Sequence, residues 1–345
     1  MKNAVARLGA ISLSWCLLSA AALAQTYETI DPPQSGGTQP AGVHKGTVVG
    51  SYYDTVTGRN TGFSFSRSEG YQVFEAPNVE PSVGTYAIGS DDFGRVAGWF
   101  AATDYHTRSF VRSRSGTITL YEVPKKDVYT TYTFDMNGPG SVIGQYFLST
   151  DSATLRGYVR APNGVVQTLK IPGNEVMLPW TINDAGTIAG FFAETFDAEW
   201  TGFIRAAHGT YTTFAAAPGC GFGGGGPTLV MNSKGDLAGT CGISSSSFLR
   251  KQNGQFVIID YPAALETRAY GIAANGDVSG YFTDTDFGVH GFIRRANGTL
   301  ESFDFPGAVP GTTQVSRMDD NGDIVGTYYD AGVQLHGFIR YEDCD

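Results

Sequence analysis

Seven times along this chain a proline closes a short apolar stretch, at Pro33, Pro77, Pro124, Pro172, Pro218, Pro262 and Pro306, with spacings of 44, 47, 48, 46, 44 and 44 residues. A fixed period of roughly 20 to 50 residues marks units that cannot bury an apolar face alone and stack to do so. A second marker recurs between the prolines, two glycines four residues apart: Gly46/Gly50, Gly94/Gly98, Gly140/Gly144, Gly186/Gly190, Gly235/Gly239, Gly276/Gly280 and Gly322/Gly326. Two residues further stands an aromatic, Tyr52, Phe100, Tyr146, Phe192, Phe282 or Tyr328, with Cys241 the exception. A third marker sets a small residue before Phe or Tyr, as at Gly62-Phe63, Ser109-Phe110, Gly157-Tyr158, Gly202-Phe203, Ser247-Phe248, Gly291-Phe292 and Gly337-Phe338.

Each unit reads as four short apolar segments separated by turn chemistry. In the sixth they run from Arg268 to Ala273, Asp277 to Thr283, His290 to Arg295 and Thr299 to Phe305, with Asn275-Gly276 and Asn297-Gly298 at two joints. Asn-Gly accepts positive φ and favours tight hairpins, so four consecutive segments make one antiparallel sheet. The 46 Gly and 15 Pro among 345 residues supply the turns, and 41% hydrophobic residues supply a core. The expected fold is all-β, a seven-bladed β-propeller of four-stranded antiparallel blades. Tyr27 to Pro33 aligns with the last segment of the other units, while the chain ends one segment short after Gly337-Phe338-Ile339-Arg340. The ring is therefore expected to close by the N-terminal strand pairing with the C-terminal blade, which satisfies an open edge.

The first 24 residues have the form of a secretory signal peptide: Lys2 and Arg7, an apolar run from Leu8 to Ala21, and Ala22-Leu23-Ala24 before Gln25. Residues 25–345 are then one domain, exported to a periplasm or beyond the cell, with no membrane anchor expected because no second apolar run of about 20 residues follows. Removing Lys2 and Arg7 leaves 21 basic side chains against 33 acidic ones. That balance argues against nucleic acid, whose binding depends on basic stripes that release counterions.

The string Ile182-Asn183-Asp184-Ala185-Gly186-Thr187-Ile188-Ala189-Gly190-Phe191-Phe192, with His290-Gly291-Phe292 and His336-Gly337-Phe338, resembles the bacterial extracellular repeats named for a His-Ala-Phe (HAF) signature. The resemblance covers the whole mature chain. Gly stands in place of Ala, and His fills the signature position only at 290 and 336. It implies a secreted repeat protein and carries no catalytic residues with it.

In a propeller the first strand of each blade lines a central channel, and ligands meet the mouth formed by the loops joining strand four to one and two to three. Counting back from the first glycine of each unit places Tyr86, Tyr132, Trp180, Arg268, Gln314 and Arg317 at that mouth. These aromatics and guanidinium groups suit a glycan, a peptide or an anion, and the same rings could serve to pack blade on blade. The loops from strand two to three carry Asp54, Asp104, Tyr105, Asp151, Glu194, Asp197, Glu199, Trp200, Asp284, Asp286 and Asp330, mostly solvated charge. Asp319-Asp320-Asn321-Gly322-Asp323 has some look of a calcium loop, but its counterparts Asn183-Asp184-Ala185-Gly186 and Ala274-Asn275-Gly276-Asp277 make it one copy of an inter-strand turn. No cofactor is expected, calcium being the one ion this string brings to mind.

Catalytic signatures are missing. His44, His106, His208, His290 and His336 have no metal-ligand spacing, the glycine run 221–226 lacks the Lys-Ser/Thr ending of a phosphate loop, and no Gly-x-Ser-x-Gly occurs. Cys220 and Cys241 bracket that glycine run and form the favoured disulfide in an oxidising compartment, leaving Cys344, although Cys344 could pair with either. The leading expectation is an exported binding or scaffold module for an extracellular glycan or protein ligand. The alternative is a metal-assisted propeller hydrolase, lactonase or lyase, which needs channel carboxylates, and only Asp135 falls on an inner strand. Oligomeric state stays open.

Overall fold

The computed structural model describes residues 26–80, 82–149, 151–217, 219–222, 228–242 and 244–342. The expected leader, Cys344, Pro218 and most of the glycine run lie outside the described residues. Five consecutive groups of four strands form separate antiparallel sheets, beginning with Ser35–His44, Thr85–Ser90, Val128–Met136, Val176–Ile182 and Leu229–Met231. In the sixth repeat the strands are Glu266–Ile272, Val278–Thr283, Val289–Arg294 and Leu300–Phe303, within a few residues of the segments read from sequence. The Asn-Gly joints differ in one respect: only Gly276 and Gly298 adopt positive φ, the asparagines staying on the ordinary side.

Strand Thr26–Ile30 pairs antiparallel with Leu335–Tyr341, from Thr26↔Tyr341 to Ile30↔Gly337, which is the pairing expected of the termini. The sheet count corrects the expectation of seven separate blades. Four-stranded sheets number five, because the last two repeats share one eight-stranded sheet, joined by the single parallel pair Gly271↔Met318. The two inner strands approach closely there: a Cβ at Gly271 would overlap Met318. Nor do hydrogen bonds close the ring, since among the described residues no strand ladder joins the eight-stranded sheet to the first sheet.

Side chains make that junction instead. Seven buried apolar clusters each straddle two successive repeats. Ala97 and Val111 of the second meet Val142 and Tyr158 of the third, and Val325 and Ile339 of the last meet Val43 and Phe63 of the first. Phe63, Phe110, Tyr158, Phe203, Phe248, Phe292 and Phe338, one ring per repeat, are completely buried. Guanidinium groups on the third strands add a second tie: Arg112 lies over Phe74, Arg160 over Tyr121, Arg250 over Phe214 and Arg340 over Phe303, in each case a ring of the preceding repeat. Arg67 over Tyr341, at 3.9 Å, repeats the contact between last and first. Buried contacts of this kind contribute about 0.5 to 2 kcal/mol each.

The paired glycines have two different physical roles. The first of each pair closes the turn with positive φ, as in Gly94 at 71° and Gly276 at 95°. The second faces the inner strand so closely that a Cβ on Gly144 would overlap the carbonyl of Tyr132, and one on Gly280 that of Arg268. That space is what permits the inner strand to bulge.

Candidate functional site

Six inner strands shift register at the same place, between Pro40/Gly42, Ala87/Gly89, Thr133/Asp135, Pro179/Thr181, Ala269/Gly271 and Val315/Arg317. A bulge places one extra residue out of the ladder and re-aims its side chain. The extra residues are Ala41, Ile88, Phe134, Trp180, Tyr270 and Ser316, and four of them, Ala41, Ile88, Tyr270 and Ser316, border a cavity of about 490 Å³ near the start of the inner strands. Gln39, Tyr86, Gln314 and Tyr329 also line it, and no charged side chain does.

Within this cavity the tyrosines are held in place. Tyr86 stacks on Trp99 at 4.3 Å, donates its hydroxyl to the Val83 carbonyl and accepts from the Asn60 amide. Tyr270 stacks on Tyr281 at 5.5 Å, and burial, reinforced by Tyr281, pushes its phenol well above the usual value. The amides differ from the tyrosines: among the described residues, neither Gln39 nor Gln314 has a side-chain hydrogen bond, and both side chains are exposed.

The structure separates the six residues expected at the mouth. Tyr86 and Gln314 meet at the cavity. Tyr132 packs edge-on against Trp99, and Trp180 stacks on Phe134 at 4.8 Å, so these rings support neighbouring strands. Arg268 pairs with Glu266 beside a shallow groove that includes Leu265 and Phe287. Arg317 lies toward the other end of the channel. Counting from the glycines mixed three levels of the strand. Alignment on the turn glycine would have found Tyr270 and Ser316, because each bulged residue from Ile88 to Ser316 stands six positions before it.

At the far end a smaller cavity of about 120 Å³ receives residues from every repeat, among them His44, Ser90, Asp135, Asn183, Met231, Ile272 and Arg317. Asp135 accepts hydrogen bonds from the Met136 and Ile182 N–H groups and from the Arg317 guanidinium at 2.7 Å. Asparagines run around this end: Asn137 donates to the Asn183 carbonyl, Asn183 to Asn232 and Asn232 to Ala273. Each also accepts N–H groups of its own turn, which an amide can do because it both donates and accepts. Asp319 replaces asparagine in the last repeat and instead accepts from the Lys45 N–H of the first. Burial, then Asp323, raises its carboxyl to about 6, against the pull of the surrounding N–H donors. Its other oxygen accepts from Asn321 and Asp323, so the calcium-like string is an inter-strand turn.

On the loop-bearing face, Asp54, Asp104, Asp284 and Asp330 accept N–H groups of their own loops. His290 lies between Asp284 and Asp304, and His336 between Asp330 and Asp31, the two repeats matching residue for residue. Among the described residues no group of three or more His, Cys, Asp or Glu is placed to hold a metal ion. Cys220 and Cys241 form the disulfide, both buried in the cluster between the fourth and fifth repeats. That bond accords with an oxidising, exported compartment. No helix among the described residues is long and apolar enough to cross a membrane.

No protein-family model matches the chain, and no curated protein sequence does. Solved structures do. Virginiamycin B lyase from Staphylococcus aureus superposes with a TM-score of 0.60 at 14% identity, covering 92% of this chain and 99% of its own. The fold is a β-propeller. A streptogramin B lyase gives 0.59 at 14% identity over 92% and 98% of the two chains. A lectin from Burkholderia pseudomallei gives 0.49 at 8% identity over 93% and 97%. At 14% identity the likeness to the two lyases is one of fold alone.

Proposed function

We propose that the protein is a seven-bladed propeller acting as an exported binding module, which takes an uncharged glycan or a peptide backbone into the 490 Å³ cavity. The seven inter-repeat clusters support the blade count, the eight-stranded sheet being two blades that touch at one residue pair. The observation that carries the ligand class is the lining itself. Gln39 and Gln314 present amides with no hydrogen-bond partner among the described residues, beside Ser316 and the rings of Tyr86 and Tyr270, and no ionic side chain lines the cavity with them. Amides and hydroxyls beside aromatic faces match the alternating polar and apolar surfaces of a sugar or a peptide bond. Metal-assisted hydrolysis or elimination, the second reading, requires carboxylates or imidazoles where this cavity has amides.

Titration calorimetry of the mature protein against neutral oligosaccharides and short uncharged peptides tests the reading. A ligand from one class is expected to bind, and Gln39→Ala with Gln314→Ala is expected to weaken it at least tenfold, with the melting temperature unchanged. Binding untouched by the double substitution would overturn the assignment of the cavity.

A further inference from the structure

A different feature crowns the loop-bearing face. The tips of the connections between second and third strands present Val56, Tyr105, Phe196, Phe287 and Val333, between 56% and 79% exposed. Three of them are also strained. Tyr105, Phe287 and Val333 have φ of 63°, 65° and 62°, the left-handed region that bulky and β-branched residues avoid.

These three close their loops in the same way. The N–H of Tyr105 bonds the Ala102 carbonyl, that of Phe287 the Asp284 carbonyl and that of Val333 the Asp330 carbonyl, so each is the last residue of a four-residue turn. Elsewhere glycine fills a left-handed closing position: Gly58 closes the corresponding loop of the first repeat in a turn one residue longer, from the Asp54 carbonyl, and Gly94, Gly140 and Gly276 close four-residue turns on the opposite face. The fold therefore accepts glycine there. A large apolar side chain held in an unfavourable conformation, pointing into water, gains nothing for the folded state, and such strain collects where a surface is used. The loops are also rigid, because Asp284 accepts the Asp286 and Gly288 N–H groups and Asp330 that of Gln334. A pre-ordered surface loses little entropy on docking.

Charge selects the occupant. The same connections carry Glu194, Asp197, Glu199 and Asp286, besides an Asp104 that pairs with Arg108 of the adjoining strand, and themselves contain no Lys or Arg, on a chain of net charge −10. An anionic bilayer and a second copy of this acidic face are both repelled. We infer that this crown docks a protein segment in which basic residues are interspersed with large apolar ones, independently of what the channel cavity holds. The apolar tips supply contact area and the carboxylates between them supply orientation and attraction.

The test uses the mature chain and three probes: a synthetic peptide of Lys, Leu and Phe, its counterpart with Glu for Lys, and phosphatidylglycerol vesicles. The variant is Tyr105→Gly, Phe287→Gly and Val333→Gly together, with Phe287→Gly alone as a milder form. The basic peptide is expected to bind, at least tenfold more weakly to the triple variant, while that variant melts no lower than the parent because glycine relieves the left-handed backbone. The acidic peptide and the vesicles are expected not to bind. Equal binding of the basic peptide by parent and glycine variants would reduce the attraction to bulk charge and overturn the inference. So would absence of binding, equal binding of the acidic peptide, or binding of the vesicles.

Discussion

Asp135 and Arg317 lie 182 positions apart in the chain and meet at 2.7 Å across the channel, the carboxylate nearly buried and the guanidinium one quarter exposed. Asp135 also receives the Ile182 N–H of the neighbouring inner strand, so one side chain fastens three repeats.

Arg317→Leu leaves that carboxylate buried with two N–H donors and no cation. Removing one partner of a buried pair is costly, but the partial exposure of Arg317 admits screening, so the expected loss is about 1 to 3 kcal/mol by denaturant unfolding. The double variant with Asp135→Asn is expected to recover part of it. Additive losses would show that the two groups do not act as a pair.

Ile30, fully buried, anchors the N-terminal strand in the cluster shared by the last and first repeats. Ile30→Ala should cost about 2 to 5 kcal/mol, and deletion of residues 25–33 should lower the melting temperature further, because the edge of Leu335–Tyr341 loses its partner. A deletion variant that melts like the parent would mean the pairing contributes nothing.

The junction of the termini should also weaken as the pH rises. Burial alone would lower the His336 imidazole, but Asp31 and Asp330 outweigh it and hold it above its usual 6.5. A raised pKa in the folded state gives stabilisation that is complete below the unfolded value and disappears as pH rises through the folded one. Asp319, raised from 3.8 to about 6, has the same sign: its contribution is complete below about 4 and is lost by about pH 6 to 7. Melting temperatures measured from pH 5 to 9 should fall across the range above 6.5, and His336→Gln should flatten that fall. A parent and variant with parallel profiles would remove His336 from the explanation.

The Cys220–Cys241 bridge closes a span of 21 residues within a repeat whose inner strand has only three residues. Chain-entropy reasoning gives about 3 kcal/mol for a loop of that length. Replacing both cysteines with serine, or reducing the protein, should lower the melting temperature accordingly. The cluster around Phe222 and Phe248 is expected to loosen first, which hydrogen exchange at Leu237–Thr240 would report.

The sequence by itself determined the repeat and the sheet. Its markers are properties of single residues: Gly94 must take positive φ, Gly144 must lack a Cβ beside the Tyr132 carbonyl, and Phe292 must be buried whole. Such requirements repeat with the unit, so they can be read by comparing the chain with itself. The pairing of Thr26–Ile30 with the C-terminal strand and the Cys220–Cys241 bridge were legible for the same reason, as gaps or exceptions in a period. The site was not. Arg317 follows the bulged Ser316 and lies at another level of the channel, Trp180 is itself a bulged residue stacked on Phe134, and Tyr132, in the same register as Tyr86 and Gln314, packs on Trp99 of the neighbouring repeat. Tertiary structure alone decided that Arg317 would spend its charge on Asp135, that Gln314 would face an uncharged cavity, and that the last two repeats would touch at Gly271 and Met318. Those contacts join residues from different repeats, and their distances are set by how the sheets pack around the ring.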